Sequence, residues 1–260
     1  MNVIVLLKQV PDTTEIKINY ETGTLIRDGV KSIMNPDDKA GLEEALKLKE
    51  KYGVNVVALT MGPPQAERML REALAMGADQ AILISDARFA GADTWATSET
   101  LAGALKKLNY DLIIAGRQAI DGDTAQVGPQ TAEKLNIPHV TYVEKITSLT
   151  KDHIIVHRQF EEGYQEVKAS LPCLITTLTE MNKPRYMSVP GIVDAYEKEI
   201  ITWNCDDIVV DMANIGLKGS PTKVKKTFTK EANAKTEPFE GSASDAAELI
   251  VDELKKRHLI

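Results

Sequence analysis

Between residues 116 and 129 the chain reads Gly116-Arg117-Gln118-Ala119-Ile120-Asp121-Gly122-Asp123-Thr124-Ala125-Gln126-Val127-Gly128-Pro129. These residue types suit the capture of a phosphate-bearing ligand. Gly116 and Gly122 carry no Cβ, so the backbone can turn tightly and approach a ligand there. Asp123 or Thr124 can cap the helix that follows, which reaches about Leu135, leaving free N–H groups at its start. The preceding run, residues 111–115, reads as a buried strand. A helix N-terminus behind the carboxyl end of a parallel strand is a ready place for a nucleotide phosphate. An ordinary strand-to-helix turn favours the same residues, and shape alone leaves both readings open. Asp121 and Asp123 would repel phosphate, so ribose hydroxyls or helix capping suit them better. The N–H groups and side chains from Asp123 through Thr124, Ala125 and Gln126 to Val127 suit the phosphates, with Gln126 offering a neutral amide.

A second string of the same type is Gly91-Ala92-Asp93-Thr94-Trp95-Ala96-Thr97-Ser98. Gly91 can start a close-approach loop. Thr94 and Thr97, one turn apart at the opening of a helix, suit a pyrophosphate or simple helix capping. Asn35 has an amide able to pair with an adenine or a ribose. The histidines offer little: His153 and His157 lie in a β-branched segment that reads as a strand, where they would sit about 13 Å apart. No Walker P-loop, no Gly-x-Ser-x-Gly elbow and no cysteine paired with a placed base is present.

These residues need an alternating α/β frame. Residues 3–7, 54–60, 81–84 and 112–115 are short continuous apolar runs, as in parallel strands covered on both faces. Helices are expected between them. The first has Asn35 as N-cap, Pro36 at the first position, Asp37 and Asp38 in the opening turn and Gly53 past its end. The second runs from Pro63-Pro64 to Gly77, the third over about residues 93–108 and the fourth over 124–135. The expected fold is α/β, an open, doubly wound, mostly parallel sheet of the adenine-nucleotide-binding type. A β-hairpin insertion is expected over residues 16–26, and residues 141–149, 154–160 and 164–169 read as antiparallel strands, followed by a strand over 173–178. Residues 1–211 are expected to form the α/β domain. Residues 212–260 are expected to be an extended arm ending in a helix over 242–257, with the lysine-bearing stretch 218–230 read as a solvated linker. No internal repeat is evident. Four strand ends can converge on a ligand: residues 6–10, Met61-Gly62, residues 85–97 and residues 116–128.

With 260 residues, 43% of them hydrophobic, the chain can bury one substantial core. A net charge of −7 argues against a nucleic-acid-backbone binder. No stretch approaches the roughly 20 apolar residues that span a bilayer. The N-terminus reads as a buried strand, and two separated cysteines without a Cys-x-x-Cys pair fit a cytoplasmic protein with reduced thiols.

The 116–129 string resembles the adenine-nucleotide loop of electron-transferring flavoprotein beta subunits. The resemblance covers nearly the full chain: Val10-Pro11-Asp12, Met34-Asn35-Pro36-Asp37-Asp38, Leu74-Ala75-Met76-Gly77-Ala78-Asp79, Gly91-Ala92-Asp93-Thr94 and Asn182-Lys183-Pro184-Arg185-Tyr186 follow in order. It implies a cofactor site built from Leu6 (through its backbone, on an adenine edge), Asn35, Asp37, Met61, Gly62, Gly91, Asp93, Thr94 and Thr97, together with Gln118, Ala119 and the run from Asp121 to Val127. Conventional members hold structural AMP here, with the working FAD on the alpha subunit. Bifurcating members hold a second FAD that accepts hydride from NADH. The Gly91-Ala92-Asp93-Thr94 string with Asn35-Pro36-Asp37-Asp38 resembles the bifurcating type. The implied partners are the alpha subunit in a heterodimer, an acyl-CoA dehydrogenase, and ferredoxin or flavodoxin. Residues 179–195, with Pro184 and Pro190 and no amphipathic period, read as a stiff loop. By resemblance this loop docks the dehydrogenase, with Val189 at the apolar anchor position. Arg185 and Tyr186 are interface residues by type. Without the resemblance, Tyr186 and Val189 would be read as closing the domain's own core. The resemblance assigns no acid–base catalyst. An ATP-using pyrophosphatase would show a Ser-Gly-Gly-x-Asp-Ser-like loop after the first strand, where this chain has Lys8-Gln9-Val10-Pro11-Asp12.

Overall fold

The computed structural model describes residues 1–12, 17–19, 24–26, 31–223 and 239–260. The chain divides into two units, Met1–Lys226 and Thr227–Ile260. The first is the α/β unit. It begins with strand β1 (Asn2–Leu6), followed by the short β2 (Gln9–Pro11), β3 (Lys17–Asn19), β4 (Thr24–Ile26) and β5 (Ser32–Met34). The expected hairpin insertion is present as β3 paired antiparallel with β4, and its turn, residues 20–23, lies outside the described residues. β2 pairs with β5, which delivers the chain to helix α1 (Pro36–Tyr52). Helix α1 starts where the sequence demands it. Pro36 lacks the N–H that a first helical residue cannot use, Asp37 and Asp38 suit the positive end of the dipole, and Gly53 ends it in the left-handed region at φ 67°.

The alternation continues through β6 (Asn55–Met61), α2 (Glu67–Met76), β7 (Gln80–Ile84), α3 (Thr94–Leu105), β8 (Leu112–Gly116) and α4 (Val127–Leu135). Then come β9 (His139–Leu149), β10 (His153–Phe160), β11 (Gly163–Ser170), β12 (Cys173–Thr177), α5 (Val189–Glu197), β13 (Ile200–Trp203) and the one-turn α6 (Gly216–Gly219). Among the described residues nine strands form one sheet in the order β11-β10-β9-β12-β8-β1-β6-β7-β13. From β9 to β13 across that order, neighbours are parallel, and β10 is antiparallel to both β9 and β11. One face packs on α1 and α2 through Leu42, Leu46, Leu70 and Leu74. The other packs on α3 and α4 through Leu101, Leu105 and Ala132. The sheet is therefore doubly wound, and β6 and β8 flank β1 on opposite sides. The switch point between β1 and β8 faces the loop that follows β8.

The expected strand over 173–178 is present as β12, which inserts between β8 and β9, parallel to both, with all five residues buried. Three features differ from the sequence reading. Residues 189–195 are not loop but part of α5; Pro190 sits in its first turn, where proline is tolerated, and Ser188 caps Gly191 N–H at 3.0 Å. β13 lies outside the sequence reading altogether. Residues 218–222 are no solvated linker, because Ser220 and Thr222 hydrogen-bond to Asp93; residues 224–230 of that stretch lie outside the described residues. The α/β unit accordingly runs past residue 211.

The second unit carries α7 (Ala243–Lys256) at the expected place. Ser242 and Asp245 form a reciprocal capping box at its start. Among the described residues no helix is long and apolar enough to cross a membrane.

Candidate nucleotide site and docking segment

The carboxyl ends of β8, β1, β6 and β7 lie side by side along one sheet edge, so the four expected strand ends are neighbours. Leu6 closes β1 opposite Leu59, while the ladder between β1 and β8 stops at Val5 and Ile114. Across that gap reaches Asp38. One of its carboxylate oxygens accepts from Lys8 N–H at 2.7 Å and the other from Gly116 N–H at 3.0 Å. Burial pushes the Asp38 carboxyl up to about 7, against the opposing pull of these donors and of Asn35. Gly116 has to be glycine here: a Cβ would lie 2.1 Å from Asp38 Oδ1 and 2.8 Å from Asp37 Cβ.

Asn35 occupies the N-cap position of α1, but its side chain makes no cap bond. Its amide is taken by the 116–129 loop: Nδ2 donates to Gln118 O at 2.8 Å and Oδ1 accepts from Ile120 N–H at 3.1 Å. Asp37 is also turned to the protein. It is buried, accepts Thr179 N–H at 3.0 Å on Oδ1, and accepts Gln118 N–H at 3.4 Å on Oδ2. Sequence reasoning placed Asn35 and Asp37 near the ligand; the structure uses both to shape the loop that would hold one. No periodicity could have signalled this, because both side chains act on residues about 80 positions away.

Beyond Ile120 the loop is exposed as far as Thr124. Ala119 O accepts from Gly122 and Asp123 N–H at 3.2 and 2.8 Å, Lys8 Nζ pairs with Asp121 at 2.7 Å, and Gln118 Nε2 donates to the Asp123 carboxylate. Asp123 and Ala125 adopt positive φ, 55° and 54°. Such turns cost non-glycine residues energy and are kept where the surroundings impose them. They displace the start of α4 to Val127, so neither Asp123 nor Thr124 caps it as expected, and Gln126 stands at the N-cap without a side-chain cap bond. The N–H groups of Thr124, Ala125 and Gln126 have no partner among the described residues. Asp121, Gly122, Asp123, Thr124 and Gln126 are exposed. An uncapped helix start with free N–H groups on strained backbone fits an anionic ligand.

The second string comes to the same place. Thr94 Oγ1 donates to Gln126 Oε1 at 3.0 Å, joining the first turn of α3 to the start of α4. Asp93 caps α3 through Ala96 N–H at 3.0 Å, and its other oxygen accepts the Thr222 N–H and hydroxyl at 2.9 and 2.7 Å. It is therefore a brace. Gly91 turns at φ 73° against Leu217, whose Cβ lies 3.1 Å from where a glycine Cβ would be. Thr97 is half-buried on the next turn. Gly62 N–H bonds to Ile84 O at 3.0 Å, locking the ends of β6 and β7 together, and Met61 packs partly buried against the core beside α3. The supporting role of residues 216–222 was missed; the polar pair Ser220 and Thr222 around Pro221 was its only signal.

The docking candidates separate. Arg185 is anchored inward: its N–H, Nε and Nη2 reach Glu43 at 3.0, 2.9 and 3.0 Å, and Nη1 reaches Glu50 at 2.6 Å. These carboxylates hold the guanidinium's proton more tightly than usual. Tyr186 is 93% exposed and Val189 77% exposed, so neither closes the core. Both free cysteines, Cys173 and Cys205, are buried.

The electron transfer flavoprotein domain matches residues 22–208. The chain belongs to the electron transfer flavoprotein family. It is 56% identical over 260 residues to the electron transfer flavoprotein subunit beta of Clostridium acetobutylicum, covering 100% of both chains. It is 54% identical over 263 residues to the caffeyl-CoA reductase–Etf complex subunit CarD of Acetobacterium woodii, and 46% identical over 269 residues to the acryloyl-CoA reductase electron transfer subunit gamma of Anaerotignum propionicum, in each case covering 100% of both chains. Within the family it is a beta-type subunit, and its role is electron transfer.

Proposed function

We propose that this electron transfer flavoprotein subunit binds FAD at the joined starts of α3 and α4 and works as the bifurcating type, in a heterodimer with an alpha subunit that takes up its C-terminal arm. The observation that carries the reading is the open start of α4, where the N–H groups of Thr124, Ala125 and Gln126, beside Thr94, have no partner among the described residues. Anionic phosphates match that end of a helix. Asp121 is held by Lys8 and Asp123 by Gln118, which keeps both carboxylates occupied beside the phosphate region. Bound there, a flavin would supply the redox chemistry, namely hydride acceptance from NADH and electron delivery to ferredoxin or flavodoxin and, through the alpha-subunit FAD, to an acyl-CoA dehydrogenase. The protein supplies position and electrostatics. Residues 186–193 project Tyr186, Val189 and Val193 for the dehydrogenase. Two relatives named for CoA-thioester reductases support a partner of that chemistry.

AMP fits the same N–H groups and gives the second reading, a carrier that does not oxidise NADH. Acid release of nucleotides from the co-purified heterodimer separates the two. Two FAD per heterodimer without AMP is the expected result; one FAD and one AMP would establish the carrier.

A further inference from the structure

We propose that Asp37 is a positioning residue that joins the docking segment to the nucleotide loop, so that the state of each site affects the other. The inference rests on the nucleotide reading above and concerns what holds that site in register. Asp37 is 4% exposed, and its carboxylate is shared between two strand ends. On one side Oδ1 takes the N–H and the hydroxyl of Thr179, just beyond β12. On the other, Oδ2 takes Gln118 N–H at 3.4 Å and lies 3.4 Å from Arg117 Nε, just beyond β8. The Asp37 carbonyl accepts from the Thr177 hydroxyl at 3.1 Å.

The remaining contacts run along the same helix. Asn35, preceding α1, grips the nucleotide loop at Gln118 and Ile120. One turn after Asp37, Ala40 O accepts from Asn182 at 3.0 Å, and Glu44 accepts from the same amide at 3.2 Å. Glu43 and Glu50 then hold Arg185. Positions three and four apart share one helix face, so α1 presents the root of the docking segment and the root of the nucleotide loop on one rigid element. There is no slack between helix and strands: a Cβ on Gly41 would meet Thr177 Oγ1 at 2.8 Å. In this packing Thr179 cannot shift without leaving Oδ1 of a buried carboxylate short of donors, and the carboxylate must then re-aim at the expense of Gln118. A partner pressing on residues 185–189 therefore acts on the Gln118–Gln126 backbone, and a nucleotide ordering that backbone acts in return on Thr179.

The test uses the full heterodimer. Thr179→Val removes the hydroxyl donor while keeping shape and backbone N–H; Asp37→Asn turns one of the two accepting oxygens into a donor, so the side chain can no longer accept from Thr179 and Gln118 together. Amide hydrogen exchange over residues 116–126, without added nucleotide, should rise roughly three- to tenfold in Thr179→Val. Kd for FAD and for AMP should weaken by a similar factor. In the Asp37→Asn background, Thr179→Val should add less than about twofold to either quantity, because the connection is already gone. Saturating nucleotide should in turn slow exchange at residues 179–185 in the parent and not in Asp37→Asn. The proposal is overturned if Thr179→Val leaves loop exchange within about twofold of the parent, or if its effects multiply independently with those of Asp37→Asn. Should Asp37→Asn fail to fold, the exchange result for Thr179→Val decides alone. A heterodimer that takes up neither FAD nor AMP on this subunit, yet shows the exchange coupling, sinks the nucleotide reading and leaves the link between the two loops standing.

Discussion

The segments after β8 and β12 leave neighbouring parallel strands and are built on opposite plans. After β8, side chains of α1 and its N-cap turn inward to hold the loop's backbone, and the loop's later N–H groups are left open. After β12, Arg185 plants the segment on Glu43, and the apolar side chains Tyr186 and Val189 are left open instead. One segment offers backbone, which suits a small ligand with phosphate oxygens. The other offers side chains, which suits a protein surface with a pocket for an apolar anchor. The two plans should tolerate change very differently.

The largest effect is expected at Gly116. Its Cβ would fall 2.1 Å from Asp38 Oδ1 and 2.8 Å from the Asp38 backbone nitrogen, so Gly116→Ala must push α1 away from β8. We expect a loss of about 3 kcal/mol in denaturant unfolding, typical of overpacking at a rigid site, together with loss of bound nucleotide from the heterodimer. A variant with parental stability and nucleotide content would mean that the junction of α1 and β8 is far softer than its contacts imply.

Arg185→Met comes next. It leaves Glu43, whose side chain is 6% exposed, as a buried carboxylate without its guanidinium. Arg185 itself is 32% exposed, so solvent relaxes part of the damage. The expected cost is roughly 2 kcal/mol, read from chemical denaturation. Arg185→Lys should recover less than half, because an ammonium cannot reproduce the guanidinium's paired contacts to Glu43 while also reaching Glu50. Full recovery by lysine would mean that charge, not geometry, anchors the segment.

How far these features could be read in the sequence depends on the range of the forces involved. The parallel strands were legible because a strand covered on both faces must be continuously apolar, as in Leu112 to Ala115, which are all buried. Pro36, Asp37, Asp38 and Gly53 announced α1 because capping is local chemistry. What acts across the fold was silent: the insertion of β12 between β8 and β9, the pairing of β13 with β7, and the use of Asn35 and Asp37 as supports for a loop about 80 residues away. α5 was misread because proline counts as a breaker everywhere except in a first turn, which is where Pro190 lies. The loop's composition pointed to a ligand, but the positive φ of Asp123 and Ala125, which moves the helix start to Val127, had no sequence cue.

A smaller effect is expected from the pH dependence of the β8 side. Burial raises the Asp38 carboxyl from 3.8 to about 7, so the folded protein holds this proton where the unfolded chain has released it. The associated stability is present below the unfolded value and is lost as pH climbs through the folded one. Between pH 6 and pH 8 the parent should lose on the order of 1 kcal/mol more than Asp38→Asn, which has no proton there to lose. The difference between the two slopes isolates Asp38 from all other titrations. Parallel slopes would mean that Lys8 and Gly116 N–H keep the carboxylate ionised throughout.

The smallest change in stability is expected at Val189. It stands at the first position of α5 with 77% of its surface in solvent, so Val189→Ser removes almost nothing from the folded core. Unfolding free energy should move by no more than about 0.5 kcal/mol, and nucleotide content not at all. Electron delivery to the dehydrogenase should nevertheless fall, with the apparent KM for the partner rising while the rate of flavin reduction by NADH stays at the parental value. The cause would be a missing anchor in the partner's pocket, since a small apolar side chain buried on docking contributes more to binding than it can to a surface it barely touches. Equal partner kinetics in Val189→Ser would move the docking role elsewhere on the exposed face, to Val193 or Tyr196, and the contrast between a backbone-presenting loop and a side-chain-presenting one would then rest on α5 instead of on its first residue.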